Sequence, residues 1–243
     1  MPGRWPIRTA AFLAALITAA PAAAACGGSD DDDGTASPAP TSSASESPSG
    51  PTAAPTFEAE ITKVGAGDLK YSWRKGCPVP PSGLRLIKMP YWGMDDRAHE
   101  DGQLIVNAKE AKDVASVFEK LYDMRYPIKR MEPVDKYKAS DFESIEADNT
   151  SAFNCRPAEG STAFSQHAYG LAIDINPCEN PYVYADGHTA HADCKKYKNR
   201  KNDDPGVIHA DDKVVKAFAS IGWGWGGEWN GAKDYQHFSK SGR

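Results

Sequence analysis

An α+β fold, with a small antiparallel sheet flanked by helices, is the class this sequence predicts, and three observations predict it. Short aliphatic runs bounded by turn residues read as strands, and two stretches with apolar residues at helical spacing read as amphipathic helices. The two kinds of element follow one another without the regular strand–helix–strand alternation that builds a parallel sheet. The chain has 243 residues, no internal repeat, and 40% hydrophobic and 10% aromatic content, enough for an ordinary packed core.

Taken in order, the chain opens on "MPGRWPIR", with Arg4 and Arg8, followed by the apolar "TAAFLAALITAAPAAAA". Charged, then apolar, then small is the order of a secretory signal, predicted here over residues 1–25. Cys26 follows. A cysteine at the cleavage point resembles a bacterial lipoprotein signal, in which the thiol takes a diacylglycerol. The departure is Ala23, where such signals carry leucine, and ordinary cleavage after Ala-x-Ala is the alternative. Residues 26–57, rich in Asp, Ser, Pro and Gly, hold too little apolar bulk to offset chain entropy and read as a disordered tether. A flexible chain of that length has an r.m.s. span of about 30 Å. Net charge is −5, nearly all of it supplied by Asp30 to Asp33. The remainder is close to neutral, which argues against a nucleic-acid partner held by a basic surface. No later apolar run approaches the length needed to span a bilayer.

Five cysteines are present: Cys26, Cys77, Cys155, Cys178 and Cys194. In an oxidising compartment an odd thiol needs a role, and a lipid on Cys26 leaves four to form two disulfides. The favoured pairing is Cys178 with Cys194, closing one local loop, and Cys77 with Cys155. Two other pairings are arithmetically open.

The folded domain is expected over residues 58–243. "LRLIKMPYW" (84–92) and "GQLIVN" (102–107) read as strands. Asn107 and Glu110 suggest a capping box, opening a helix through about Arg125 with Val114, Val117, Phe118, Leu121 and Tyr122 on one face. Pro127 ends it, and "IKRMEPVDKY" (128–137) is expected to return as a strand. Residues 211–221 read as a second amphipathic helix, closed by Gly222.

The chemistry lies in "SQHAYGLAIDINP" (165–177). Leu171, Ile173 and Ile175 alternate with Ala172, Asp174 and Asn176 between Gly170 and Pro177, which predicts a strand with its aliphatic face inward. Asp174 then projects from the other face beside the small Ala172. His167, on the turn before Gly170, is free to fold towards Asp174 with room for a metal ion between them. One His–Asp pair is more often structural than metal-binding. A third candidate ligand, His237, weighs for a metal, and Asp234 lies three residues ahead of it. Two histidines and a carboxylate with a position left for water are what catalytic zinc requires. A further carboxylate can take that water's proton as general base. A spacing of three puts Asp234 and His237 on opposite faces of a flat strand, so a turn or bulge is expected between them. "HTAHADC" (188–194) also mimics a metal spacing, but in a polar, disulfide-closed loop. His99 and His209 read as surface residues.

"SQHAYGLAIDINP" together with "DYQHF" resembles the VanY-type D-alanyl-D-alanine carboxypeptidase family, within the wider group that includes lysostaphin and sonic hedgehog. The pattern Ser-x-His-x-x-Gly-x-Ala-x-Asp is met in full by Ser165, His167, Gly170, Ala172 and Asp174. The similarity runs from about Leu84 to Phe238, with "NTSAFNCRP" ahead of the first ligand. The resemblance implies a zinc site on the sheet face made by His167, Asp174 and His237, with Asp234 as catalytic base. Many members carry glutamate at that last position. Aspartate there resembles the branch that cuts the L-alanyl–D-glutamate bond of the peptidoglycan stem peptide rather than the terminal D-Ala–D-Ala bond. Arg156 resembles an arginine that holds a substrate carboxylate or carbonyl oxygen, a surface ion pair being the alternative. Ser165 either contacts the substrate backbone or caps a turn. Glu228 and the tryptophans Trp223, Trp225 and Trp229 read mainly as a packed aromatic segment.

The sequence therefore predicts an exported, monomeric zinc peptidase of the cell wall, anchored by lipid to the outer face of the cytoplasmic membrane. Its rival is a non-catalytic wall-binding lipoprotein with a structural metal.

Overall fold

The computed structural model describes residues 54–243. The signal at residues 1–25, Cys26 and the tether up to residue 53 lie outside the described residues. The strands are β1 (Glu60–Lys63), β2 (Leu84–Gly93), β3 (Ala98–Asn107), β4 (Pro127–Ile128), β5 (Ala172–Asp174), β6 (Tyr182–Val183), β7 (Gly224–Trp225), β8 (Lys233–Asp234) and β9 (His237–Ser239). The α-helices are α1 (Ala111–Asp123), α2 (Asp141–Glu146) and α3 (Lys213–Ala219). The α+β class holds.

The largest sheet is antiparallel β1–β2–β3, with β4 running parallel against the end of β2. Period two decides what each face buries. Leu84 and Leu86 of β2, with Ile105 of β3, pack on Leu69, Phe153 and Cys155. Ile87 and Met89, with Leu104 and Val106, face the main core and α1. On α1 the predicted stripe of Val114, Val117, Phe118, Leu121 and Tyr122 is buried throughout. Phe118 meets Phe218 of α3 edge-on at 6.4 Å, and Phe218 stacks at 4.1 Å on Phe238 of β9. That aromatic chain ties the first sheet to the second, antiparallel β5–β9–β7. A third, two-stranded sheet pairs β6 with β8. At the start of the described chain, Phe57 packs on Tyr122 at 5.7 Å.

Two expectations about elements need correction. Asn107 and Glu110 do not form a capping box: Glu110 is itself the N-cap and makes no side-chain cap bond. Its carboxylate accepts instead from Lys240 Nζ at 2.5 Å, while Asn107 Oδ1 accepts from the backbone N–H of Lys109. Residues 128–137 do not run as a strand beyond Ile128. Side-chain amides take their backbone donors, Asn176 Oδ1 accepting from Lys129 and Asn149 Oδ1 from Glu132, and Pro133 leads into a 3₁₀ turn over Val134–Tyr137. The predicted helices exist but are shorter at their ends. Arg125, with φ of 52°, terminates α1 ahead of Pro127, and Gly222, with φ of 78°, follows α3.

Both favoured disulfides are present, Cys77–Cys155 and Cys178–Cys194. They close loops of sequence separation 78 and 16, for which loss of chain entropy in the unfolded state gives about 4.5 and about 3 kcal/mol. Replacing Cys77 and Cys155 by serine should therefore lower the urea midpoint more than replacing Cys178 and Cys194. Equal midpoints would show that the loop-length argument does not govern here.

Candidate metal centre and cleft

Gln166–Tyr169 form a 3₁₀ turn that holds His167, capped by Ser165, whose Oγ accepts from the His167 N–H at 3.3 Å. Gly170 ends the turn at φ +65°, and a Cβ there would meet the backbone nitrogen of Asn107 at 2.6 Å. Only glycine suits both the left-handed backbone and that approach. From Gly170 the chain enters β5. Ile173 and Ile175 are fully buried in the core, while Asp174, 6% exposed, projects into the site. Asp174 also exchanges backbone hydrogen bonds with Ser151, at 2.9 and 3.0 Å, which seats "NTSAFNCRP" beside it.

The third ligand candidate arrives through sheet register. Asp174 of β5 lies opposite His237 of β9. The turn expected between Asp234 and His237 is a bend at Tyr235–Gln236 where the chain leaves one sheet for another. Asp234 stays in β8 opposite Tyr182, so the two side chains no longer alternate as on one flat strand.

The donor atoms converge. His167 Nε2 lies 3.1 Å from Asp174 Oδ2 and 3.3 Å from His237 Nδ1, and His237 Nδ1 lies 3.0 Å from Asp174 Oδ1. Zinc–ligand bonds of about 2.0–2.1 Å at tetrahedral angles put ligand atoms about 3.3 Å apart, so the spacing suits such an ion. His167 Nδ1 faces the carbonyl oxygen of Ala152 at 2.6 Å. A carbonyl only accepts, so Nδ1 carries a proton and donates there, and Nε2 is the ring nitrogen that faces the Asp174 carboxylate. The bond to Ala152 also fixes ring orientation, as carbonyls commonly do for metal-binding histidines. His237 Nε2, buried, has no hydrogen-bond partner among the described residues.

Electrostatics separate the two carboxylates. Burial pushes Asp174 up, but His167 and His237 outweigh it and hold the carboxyl well below the usual range. Burial pushes Asp234 up to about 7, against the pull of His237 and with the help of the Asp174 charge. Asp234 Oδ2 lies 3.9 Å from His237 Nδ1, and its Oδ1 is buried without a partner among the described residues.

A cleft of about 630 Å³ opens over this group, lined also by Arg156, Ser165, Trp229 and His191. Arg156 makes the ion pair that the sequence offered as one of its two readings. Its Nε donates to Asp141 Oδ1 at 2.9 Å while the side chain lines the cleft. Glu228 is not among the lining residues, Trp223 and Trp225 are core, and Trp229 sits 5.3 Å from the His237 ring. His99 pairs with Asp95, His188 with Asp186 and His209 with Asp203.

His191, weighed in the sequence only as part of the metal-like spacing of residues 188–194, lines the cleft. Its Nδ1 faces Glu146 Oε1 at 2.5 Å, a partner 45 residues away that no local spacing reveals. The available signal was the Cys178–Cys194 loop, which folds His191 over the site rather than into a second metal cluster.

The geometry predicts that added zinc raises the melting temperature of the wild-type chain, since a ligand held by the folded state alone stabilises it. His167→Ala and His237→Ala should lose that rise and the bound metal. Retention of one metal per chain by either variant would break the assignment.

Residues 159–240 match the family model described as D-alanyl-D-alanine carboxypeptidase. The matched span holds Ser165, His167, Asp174, Asp234 and His237, and leaves Arg156 and the first sheet outside it. No curated protein and no solved structure matches the chain. The part of the chain that carries the triad is thus D-alanyl-D-alanine carboxypeptidase-like, which bears out the resemblance carried by "SQHAYGLAIDINP" and "DYQHF".

Proposed function

We propose that the chain is a zinc-dependent peptidase that hydrolyses peptidoglycan stem peptides, as an L-alanyl–D-glutamate endopeptidase or a D-alanyl-D-alanine carboxypeptidase. The observation that carries this reading is the convergence of His167, Asp174 and His237, with a second carboxylate, that of Asp234, beside them in an open cleft. When bound there, zinc would supply Lewis acidity for the scissile carbonyl and make a water more acidic. Hydrolysis then needs a group that moves one proton from the attacking water to the leaving nitrogen, as the water oxygen joins the acyl carbon and the C–N bond breaks. Asp234 fills that role. Its elevated affinity for a proton suits shuttling near neutral pH. Arg156 donates from Nε to Asp141 and from Nη1 to the Pro157 carbonyl, which leaves Nη2 for a substrate oxygen. Ser165 acts by capping the His167 turn. A metal kept purely for structure would give no reason to bury a carboxylate oxygen without a partner at Asp234.

Two disulfides support an oxidising, exported location, and among the described residues no helix is long and apolar enough to cross a membrane. We place the chain at the outer face of the cytoplasmic membrane, monomeric and held by lipid on Cys26. Cys26→Ser should move it from the membrane fraction to the soluble one. Unchanged membrane association would mean another anchor.

Asp234→Asn keeps size but cannot take a proton. Turnover of a synthetic stem pentapeptide should fall by about 10²–10⁴-fold, with zinc content unchanged. Asp174→Asn should instead weaken the metal, as it removes the anionic ligand. Zinc lost from Asp234→Asn but kept, with activity, in Asp174→Asn would exchange the two roles. The mass of the released product decides between the two bonds.

A further inference from the structure

Four acidic side chains line the cleft, and three of them have a task. Asp174 and Asp234 belong to the reaction centre, and Asp141 holds Arg156. Glu159 has none. It is exposed, and no cation pairs with it among the described residues. Its Oε1 accepts from the Tyr184 hydroxyl at 3.2 Å. A carboxylate with one hydroxyl for a partner keeps acceptor sites open towards the cleft.

Two local features fix where this pair stands. The chain turns over residues 158–161, where the Ser161 N–H donates to Ala158 O at 3.0 Å and Gly160 takes a φ of +66°. A positive φ in the third place of such a turn calls for glycine, and it leaves Glu159 at the tip. Pro157 and Phe164 are bridged below it. Tyr184 comes from the opposite side. Tyr182 of β6 lies opposite Asp234 of β8, so those two side chains share a face. Tyr184 follows two residues on, its ring 4.8 Å from that of Tyr182, and His188 stacks on it at 4.1 Å. Both tyrosines are half-buried and line the cleft. A line of side chains therefore runs from Asp234 past Tyr182 to Tyr184 and Glu159.

Two residues of strand cover about 7 Å, the reach of about two residues of an extended peptide whose scissile bond lies at Asp234. The pair thus faces a side chain one residue removed from the bond that is cut. Its donors and acceptors name the charge of that side chain. A carboxylate and a phenol oxygen both accept, and an ammonium brings three donors. The Tyr182 ring suits the aliphatic stem behind such a head. In a stem peptide the ammonium belongs to the diamino acid in third place. That residue adjoins the one supplying the scissile carbonyl in D-Ala–D-Ala cleavage, and the one supplying the scissile nitrogen in L-Ala–D-Glu cleavage. We propose that Glu159 and Tyr184 form a subsite for the side-chain ammonium of this diamino acid and determine specificity for it. A stem already crosslinked through that amine carries an amide instead, so the subsite selects stems whose amine is free. The inference rests on the peptidase reading for the identity of the peptide, but its test reads binding rather than hydrolysis.

The test compares two synthetic stem pentapeptides, one with lysine in third place and one with norleucine, which keeps the aliphatic stem and lacks the charge. Affinity is measured by calorimetry on the zinc-loaded chain carrying Asp234→Asn, so that neither peptide is consumed. The lysine peptide should bind about fivefold tighter, the upper range for an ion pair open to solvent. The preference should shrink as sodium chloride is raised. An Nε-acetyllysine peptide should bind as the norleucine peptide does. Glu159→Gln in the same background should bind all three alike, with an unchanged melting temperature because the side chain is exposed at a turn tip. Tyr184→Phe removes one acceptor and frees Glu159 to rotate, and should cut the preference by about half.

Equal affinity for the lysine and norleucine peptides on the intact subsite overturns the inference. A lysine preference that survives Glu159→Gln does so too, and if that variant does not fold, a preference kept in full by Tyr184→Phe has the same force. A chain that binds none of the peptides sinks the proposal. Hydrolysis by wild type beside a preference that survives Glu159→Gln fails this inference alone. A preference lost in Glu159→Gln, with no hydrolysis by wild type, fails the peptidase reading alone.

Discussion

The site depends on one pairing, that of β5 with β9. Asp174 and His237 stand opposite one another because Ile173 and Phe238, the residues beside them, are fully buried opposite one another in the core. The side-chain period of a strand is two, so a slip by one residue would turn a histidine or a carboxylate into the core and an aliphatic side chain into the cleft. Register is therefore fixed by hydrophobic burial. The stacked rings of Phe218 and Phe238, with Phe118 against Phe218, extend that anchoring to both long helices' apolar faces. The ligand geometry is a consequence of how the core packs.

A second layer of constraint surrounds the first. Strand β6, inside the disulfide-closed loop, holds β8 and thereby Asp234. The short helix α2 presents Asp141 and Glu146, one turn and a residue apart, to Arg156 and His191 respectively. Both acceptors orient a cleft-lining side chain whose charge or ring nitrogen would otherwise be free to rotate. Arg200 adds a brace from behind: it donates to the carbonyls of Glu179, Tyr197 and Ile208 and packs 4.3 Å over the ring of Tyr235, at the bend itself. The positions of the reactive groups are thus set by a sheet, a loop and a helix, none of which carries the whole site.

The cleft concentrates groups that the fold leaves unsatisfied. The ring nitrogens of His167 and His237 crowd the Asp174 carboxylate, and a second carboxylate, that of Asp234, is buried beside them with one oxygen unpartnered among the described residues. Each disfavours the free protein, since buried polar groups lose water without replacement. Function is where such local conflicts are expected, because the ligand or ion resolves them.

Much of this was legible in the sequence because it is local. Period-two alternation from Leu171 to Asn176 predicts the strand and the side on which Asp174 emerges, and glycine at 170 marks the turn that aims His167. The 3.6-residue pattern from Val114 to Tyr122 gives α1 its buried face, and the spacing of three between Asp234 and His237 demands a bend. What failed was local as well but contested. Residues 128–137 resemble a strand in composition, yet Asn149 and Asn176, distant in sequence, take their backbone N–H groups. Glu110 is drawn from a cap by Lys240, 130 residues on. By itself the sequence determined the fold class and that His167, Asp174, Asp234 and His237 are the side chains to converge, because residue type and short spacing fix which groups a strand or turn can present. Only the tertiary structure decided that Arg156 is held by Asp141, that His191 meets Glu146 over the cleft, and that Tyr184 donates to Glu159. These are contacts between segments far apart in the chain, and no periodicity encodes which distant side chain the packed core will bring alongside.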